Sequence, residues 1–191
     1  MRSKSFLRSL RLGLAALIAA GCATDSATAP KFSQEASTAR GSGSRDDLIK
    51  KNGLLWSTEL RRDVSASATI GPRGGKITIA STGFELTVPP LAVTKDTRFT
   101  VTAVAGRMVA YEFEPHGTRF LVPIIAKQNL ALTKSRLPLP VLLAGYFTYR
   151  YDLDQSNGTG YVSELIDGAG GAALGSFVWP INHFSGYMIC W

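Results

Sequence analysis

The feature that most restricts this chain is a period of two in its middle third. Ile77 and Ile79 alternate with Lys76 and Thr78; Phe84, Leu86 and Val88 with Glu85 and Thr87; Phe99, Val101 and Ala103 with Thr100 and Thr102. Successive side chains of a strand point to opposite faces, so each run has one apolar and one wettable side. Turn formers bound the runs: Gly71-Pro72, Gly74-Gly75, Gly83, Pro89-Pro90 and Gly106. Short alternating strands spaced roughly 8–12 residues apart, with no helical period between them, predict an all-β fold, a single antiparallel β-sandwich.

The second half continues the pattern. Val141, Leu143, Phe147, Tyr149 and Tyr151 recur at even spacing, with Thr148 and Arg150 facing the other way. Residues 152–160 read as a polar loop, 161–166 as a strand and 168–175 as a glycine-rich connection. Residues 176–179 read as a strand stopped by Pro180, and 183–191 as the closing strand.

Upstream of the alternation the residues serve other ends. Residues 1–21 hold Arg2, Lys4, Arg8 and Arg11, no acidic residue, and an apolar run from Leu12 to Ala20. That is the layout of an export signal, and the run falls short of the roughly 20 residues a membrane span needs. Ala19-Ala20-Gly21-Cys22 resembles the lipobox of bacterial lipoproteins. The resemblance makes Cys22 the lipidation site and the membrane the first partner, and Ala23 in place of Asp favours the outer one. Residues 22–45 are rich in Ala, Ser, Thr and Gly and cannot bury enough apolar surface to offset their ordering entropy, so they read as a flexible tether. Residues 46–65 read as a docking segment anchored by Leu48, Ile49, Leu54, Leu55 and Trp56, with a helical first turn and then an edge strand over 56–60. Residues 66–191 make the sandwich.

Charge narrows the function classes. The chain carries +7, but without the four basic residues of the signal it has 17 basic and 14 acidic side chains, a net +3. That is an ordinary solvated surface, and no basic stripe interleaved with aromatics appears, so nucleic acid is not an expected partner. With Cys22 taken by lipid, Cys190 has no partner within the chain. It reads as a buried small apolar residue, with an intermolecular disulfide as the alternative.

Three stretches, in order, resemble the ZU-five domain, a β-sandwich module shared by ankyrins, netrin receptors and tight-junction proteins and found in bacterial surface proteins. They are Ile70-Gly71-Pro72-Arg73-Gly74-Gly75, the strand and turn from Gly83 to Ala92, and the block from Tyr111 to Pro123. Leu91 departs from the pattern, standing where the family usually has glycine. The similarity spans residues 70–132, about a third of the chain. In some relatives, notably a death-domain protein of the apoptotic machinery, a His-Phe-Ser at the place of His183-Phe184-Ser185 cleaves itself. The resemblance therefore implies a possible chemistry. Ser185 Oγ would attack the carbonyl of Phe184 with His183 as its base, because an unassisted serine is a poor nucleophile. The fragment 185–191 could then stay docked by its ladder bonds. The alternative is a core Phe184 flanked by two residues that merely face away from it.

Other candidates are weaker. Asp152, Asp154 and Ser156 have the oxygen spacing of a calcium loop, but glycine comes one place late, Ser163 stands at position 12 and no flanking helix pattern is present. Glu112, Glu114 and His116 read as solvated turn residues. Two histidines and no spaced Cys/His set give no zinc signature, and Gly74-Gly75-Lys76 lacks the spacing of a phosphate loop. Tyr149, Tyr151 and Trp179 are candidate sugar-stacking residues. No paired carboxylates, nucleophile elbow or cofactor fingerprint appears. The leading expectation is a non-catalytic, lipid-anchored envelope protein that contacts an unidentified protein through its sandwich, with no cofactor; the alternative is a self-cleaving domain.

Overall fold

The structure is a computed structural model and describes residues 47–134, 141–171 and 174–191. The signal, the tether and Cys22 lie outside the described residues.

Two large antiparallel sheets carry the fold. One runs in the order β13 (Glu164–Asp167), β10 (Leu143–Phe147), β16 (Gly186–Cys190), β8 (Ala110–Glu114), β6 (Thr97–Ala103), β3 (Val64–Ile70). The other runs β14 (Ala169–Gly171), β15 (Ser176–His183), β9 (Arg119–Asn129), β5 (Phe84–Val88), β4 (Gly75–Ile79). Every apolar residue of the three opening runs is buried, as alternation predicts, and all belong to one cluster between these sheets. Phe84 stands at its centre, against Tyr111 at 4.2 Å, Phe113 at 5.9 Å and Trp179 at 6.1 Å between ring centroids.

A smaller sheet, β1 (Ile49–Asn52), β12 (Thr159–Val162) and β11 (Leu153–Asp154), supplies a second cluster. Leu153 and Val162 pack there with Phe147, Met188 and Cys190. Strand β16 thus has Tyr187 and Ile189 in the main core and Met188 and Cys190 in the second one. All five of its residues are buried, which is why Gly-Tyr-Met-Ile-Cys shows no alternation. Burial pushes the Cys190 thiol up to about 11, so it packs as a neutral apolar group.

Several sequence expectations are corrected. The docking segment has a 3-10 residue at Asp47 and then runs into a strand that alternation did not mark, β1, whose Lys50 and Lys51 pair with Tyr161 and Gly160. The expected strand over 56–60 is present as β2 (Leu55–Leu60), paired with β7 (Gly106–Met108), and its Trp56 is buried. The single strand expected over 161–166 is two strands in different sheets, because at Ser163 the chain leaves β12 for β13 and its N–H turns to Tyr146 O. Tyr149 and Tyr151 are not on a strand: a 3-10 turn at Arg150–Asp152 places both on the surface. Pro180 does not stop β15. It lies past Val178, the last residue paired with β14, where the strand is an edge and a missing N–H leaves no ladder partner unsatisfied. Trp179, offered for sugar stacking, is in the core. The closing strand begins at Gly186, so His183 ends β15 and Phe184-Ser185 form the connection.

Leu91 is the one non-glycine at positive φ among the described residues, at 65°. A left-handed backbone there explains why glycine is the natural occupant of that turn.

Candidate functional site

The block from Tyr111 to Pro123 and the His-Phe-Ser connection form one corner of the molecule. Tyr111 and Phe113 point into the core from β8, which then turns at Pro115–Thr118 into β9. The Glu114–Pro115 peptide is cis, and Gly117 takes a φ of 75°. Thr118 tightens this turn by donating from Oγ1 to Pro115 O at 2.7 Å. On the facing side β15 ends with His183 paired to Arg119, after a register shift between Ile181 and His183.

Phe184 is the anchor. Its ring is buried and meets Phe99 at 4.8 Å, Phe120 at 4.9 Å and Phe113 at 5.4 Å. With the ring fixed, its backbone is clamped by the β8–β9 turn: Phe184 N–H donates to Thr118 O at 2.8 Å, and Gly117 N–H donates to Phe184 O at 3.0 Å. Phe113 N–H donates to Ser185 O at 2.9 Å. The Phe184–Ser185 peptide is therefore held on both sides by backbone groups.

The side chains around it are arranged differently. Ser185 is buried, and its Oγ donates to Phe147 O at 3.5 Å, a long bond. His183 packs edge-on to Tyr146 at 5.1 Å and places Nε2 4.0 Å from Glu164 Oε2. Its carbonyl accepts from Tyr187 Oη at 2.8 Å. Burial, then the neighbouring Glu164 and Tyr146, pushes the Tyr187 phenol up, so it remains a donor. His183, Ser185 and His116, the other histidine of the chain, line one cavity of about 680 Å³. Arg119, Tyr146, Tyr149 and Glu112 share its wall.

Arg150 closes one side. It reaches Glu112 through Nε at 2.8 Å and through a second nitrogen, and Asp63 through a third contact at 2.7 Å. The Glu112 hydrogen bonds raise the Arg150 guanidinium further above its ordinary range, with burial opposing and Asp63 adding. It is a fixed cation.

Chemically, the corner presents a peptide carbonyl with one N–H donor at the distance used to stabilise a developing oxyanion. A serine and two histidines stand beside it. The hydroxyl that would attack is bonded to a main-chain carbonyl and not to His183. The Gly117 donor and Glu164 escaped sequence reading, since a backbone N–H leaves no side-chain signal and Glu164 belongs to another sheet edge.

The calcium candidates are engaged locally. Asp152 is buried and accepts from Tyr149 N–H at 3.0 Å, capping the 3-10 turn. Asp154 accepts from Ser156 Oγ and Asn157 Nδ2, and these bonds, the Ser156 one foremost, lower its carboxyl to about 2. Among the described residues no group of three or more His, Cys, Asp or Glu is placed to hold a metal. Tyr149 and Tyr151 stack at 4.9 Å on the surface. No helix among the described residues is long and apolar enough to cross a membrane.

No protein-family model matches the sequence, and no curated protein matches it.

Proposed function

We propose that the chain is a lipid-anchored envelope protein whose ZU-five-like β-sandwich works by contact with a partner protein, not by turnover. The observation that carries this reading is the Ser185 hydroxyl. Among the described residues its one hydrogen bond is a long 3.5 Å contact to Phe147 O and not one to His183, which supports contact over self-cleavage. Phe184 supplies packing enough to account for the motif, with its ring in contact with three other phenylalanines. The lipidated Cys22, the tether and the outer-membrane location rest on the sequence alone.

Self-cleavage at Phe184–Ser185 is the second reading, favoured by the Gly117 N–H on the Phe184 carbonyl at 3.0 Å. Ser185 Oγ would add to that carbonyl carbon as its proton passed to His183. The C–N bond would then break, with the proton delivered to the departing Ser185 amine, leaving an ester that water hydrolyses to a Phe184 carboxylate and a free Ser185 hydroxyl.

One measurement separates the readings. Intact mass of the protein purified from membranes under denaturing conditions should give one species, full length from Cys22 and heavier by the acyl groups. A mass without acyl groups refutes the anchor. A loss of residues 185–191 that Ser185→Ala abolishes replaces the contact reading with self-cleavage.

A further inference from the structure

Leu91 is unfavourable to the fold twice over. Its backbone is left-handed, at φ 65°, a region that costs a branched side chain free energy, and its side chain is 68 % exposed. Its N–H donates to Pro72 O at 2.8 Å, and Ala92 O next to it accepts from Leu121 N–H at 3.2 Å. The β4 hairpin, the Leu91 turn and β9 therefore converge at one tip. There β9 overhangs β5, whose last residue paired to it is Thr87, opposite Ile125. Leu121 is 72 % exposed and Val122 42 %, and Pro123 beside them is also exposed. Four apolar residues thus stand in water at one end of the sandwich. The charges on the same stretches are Arg73, Lys95 and Arg119, all exposed, against Asp96 alone.

We infer that this tip is a membrane-contact surface that inserts Leu91 and Leu121 into the headgroup boundary of an anionic bilayer. Exposed apolar side chains with more cations than anions on the neighbouring residues match that boundary, where apolar burial and attraction to anionic lipid add together. The inference goes beyond the proposed function and does not depend on Cys22 being lipidated, because the chain to be tested lacks that residue.

The test is co-sedimentation of the chain beginning at Ala23 with vesicles of phosphatidylglycerol and phosphatidylcholine in equal parts. Binding is expected there, weaker in high salt and weaker on phosphatidylcholine alone. Leu91→Ser and Leu121→Ser should each lower the partition coefficient about tenfold, the worth of about two methylenes at the interface. Leu91→Asn separates contact from folding, since asparagine tolerates the left-handed backbone. It should melt no lower than the parent and still bind poorly. No sedimentation with the anionic vesicles overturns the inference, as does binding that both leucine variants retain. Leu91→Asn melting lower with binding intact also overturns it. Self-association without vesicle binding would assign the tip to a second copy of the chain and reject the lipid surface.

Discussion

Among single residues, Tyr111 shows how a side chain can be both identified and misjudged from pattern alone. Alternation marks it as core, and it is fully buried, but its hydroxyl still needs a partner. Gln128, equally buried, accepts from Tyr111 Oη and donates through Nε2 to Thr82 O and Asn129 O, each at 2.8 Å. Burial pushes the Tyr111 phenol up, so it stays a neutral donor. Tyr111→Phe leaves the ring packed and strands the Gln128 oxygen. The expected cost is about 1–3 kcal/mol of unfolding free energy, read from urea denaturation. A Tyr111→Phe chain as stable as the parent would mean that water or a shifted amide satisfies Gln128. The polar partner was not legible, since a glutamine among Ala126, Asn129 and Leu130 looks like any solvated strand residue.

At the level of elements, burial on one face or two decides what a strand can tolerate. Ile189 on β16 is 1 % exposed and sits beneath the five-stranded sheet, whereas Ile125 on β9 is 38 % exposed on a solvent face. Ile189→Ala should cost about 2–5 kcal/mol through lost transfer energy and the cavity left behind. Ile125→Ala should stay within about 0.5 kcal/mol. Equal effects would contradict the layering described here. The same distinction explains which elements could be read in advance. Strands β4 to β6 have one wet face, so their sequences alternate and their positions are plain. Strand β16 is covered on both sides and shows only an apolar run. The chain passes from β12 to β13 at Ser163 without a glycine or proline to mark it. Pro180 misleads because its effect depends on whether the strand is an edge at that point, which is a property of neighbours distant in sequence. The candidate corner was partly legible: the block from Tyr111 to Pro123 and His183-Phe184-Ser185 stood out separately, but only the fold joins them.

Across the whole molecule, one cation links parts of the chain that no motif connects. Arg150, after β10, holds Glu112 on β8 and Asp63 ahead of β3, and Asp63 in turn accepts from Ala105 N–H at 2.8 Å between β6 and β7. The partners are 38 and 87 residues from Arg150 in sequence. Burial alone would raise the Asp63 carboxyl, but the Ala105 N–H and the Arg150 guanidinium outweigh it and hold it below its usual 3.8. A carboxyl with a lower pKa in the folded state binds fewer protons there than in the unfolded chain. Its stabilisation is therefore complete above the ordinary carboxylate range and is lost as pH falls through the lowered value. Asp63 is partly exposed and screened, so Asp63→Asn should cost only a few tenths to about 1 kcal/mol at neutral pH and low salt. The difference from the parent should shrink in high salt and close in acid, once the parent's Asp63 is protonated. Arg150→Met should cost more, because it leaves Glu112 and Asp63 without their shared cation, and acid should narrow that gap too. Urea midpoints measured across the pH series check both. A deficit in Asp63→Asn that persists undiminished in acid would show that the side chain acts through the Ala105 hydrogen bond and not through its charge.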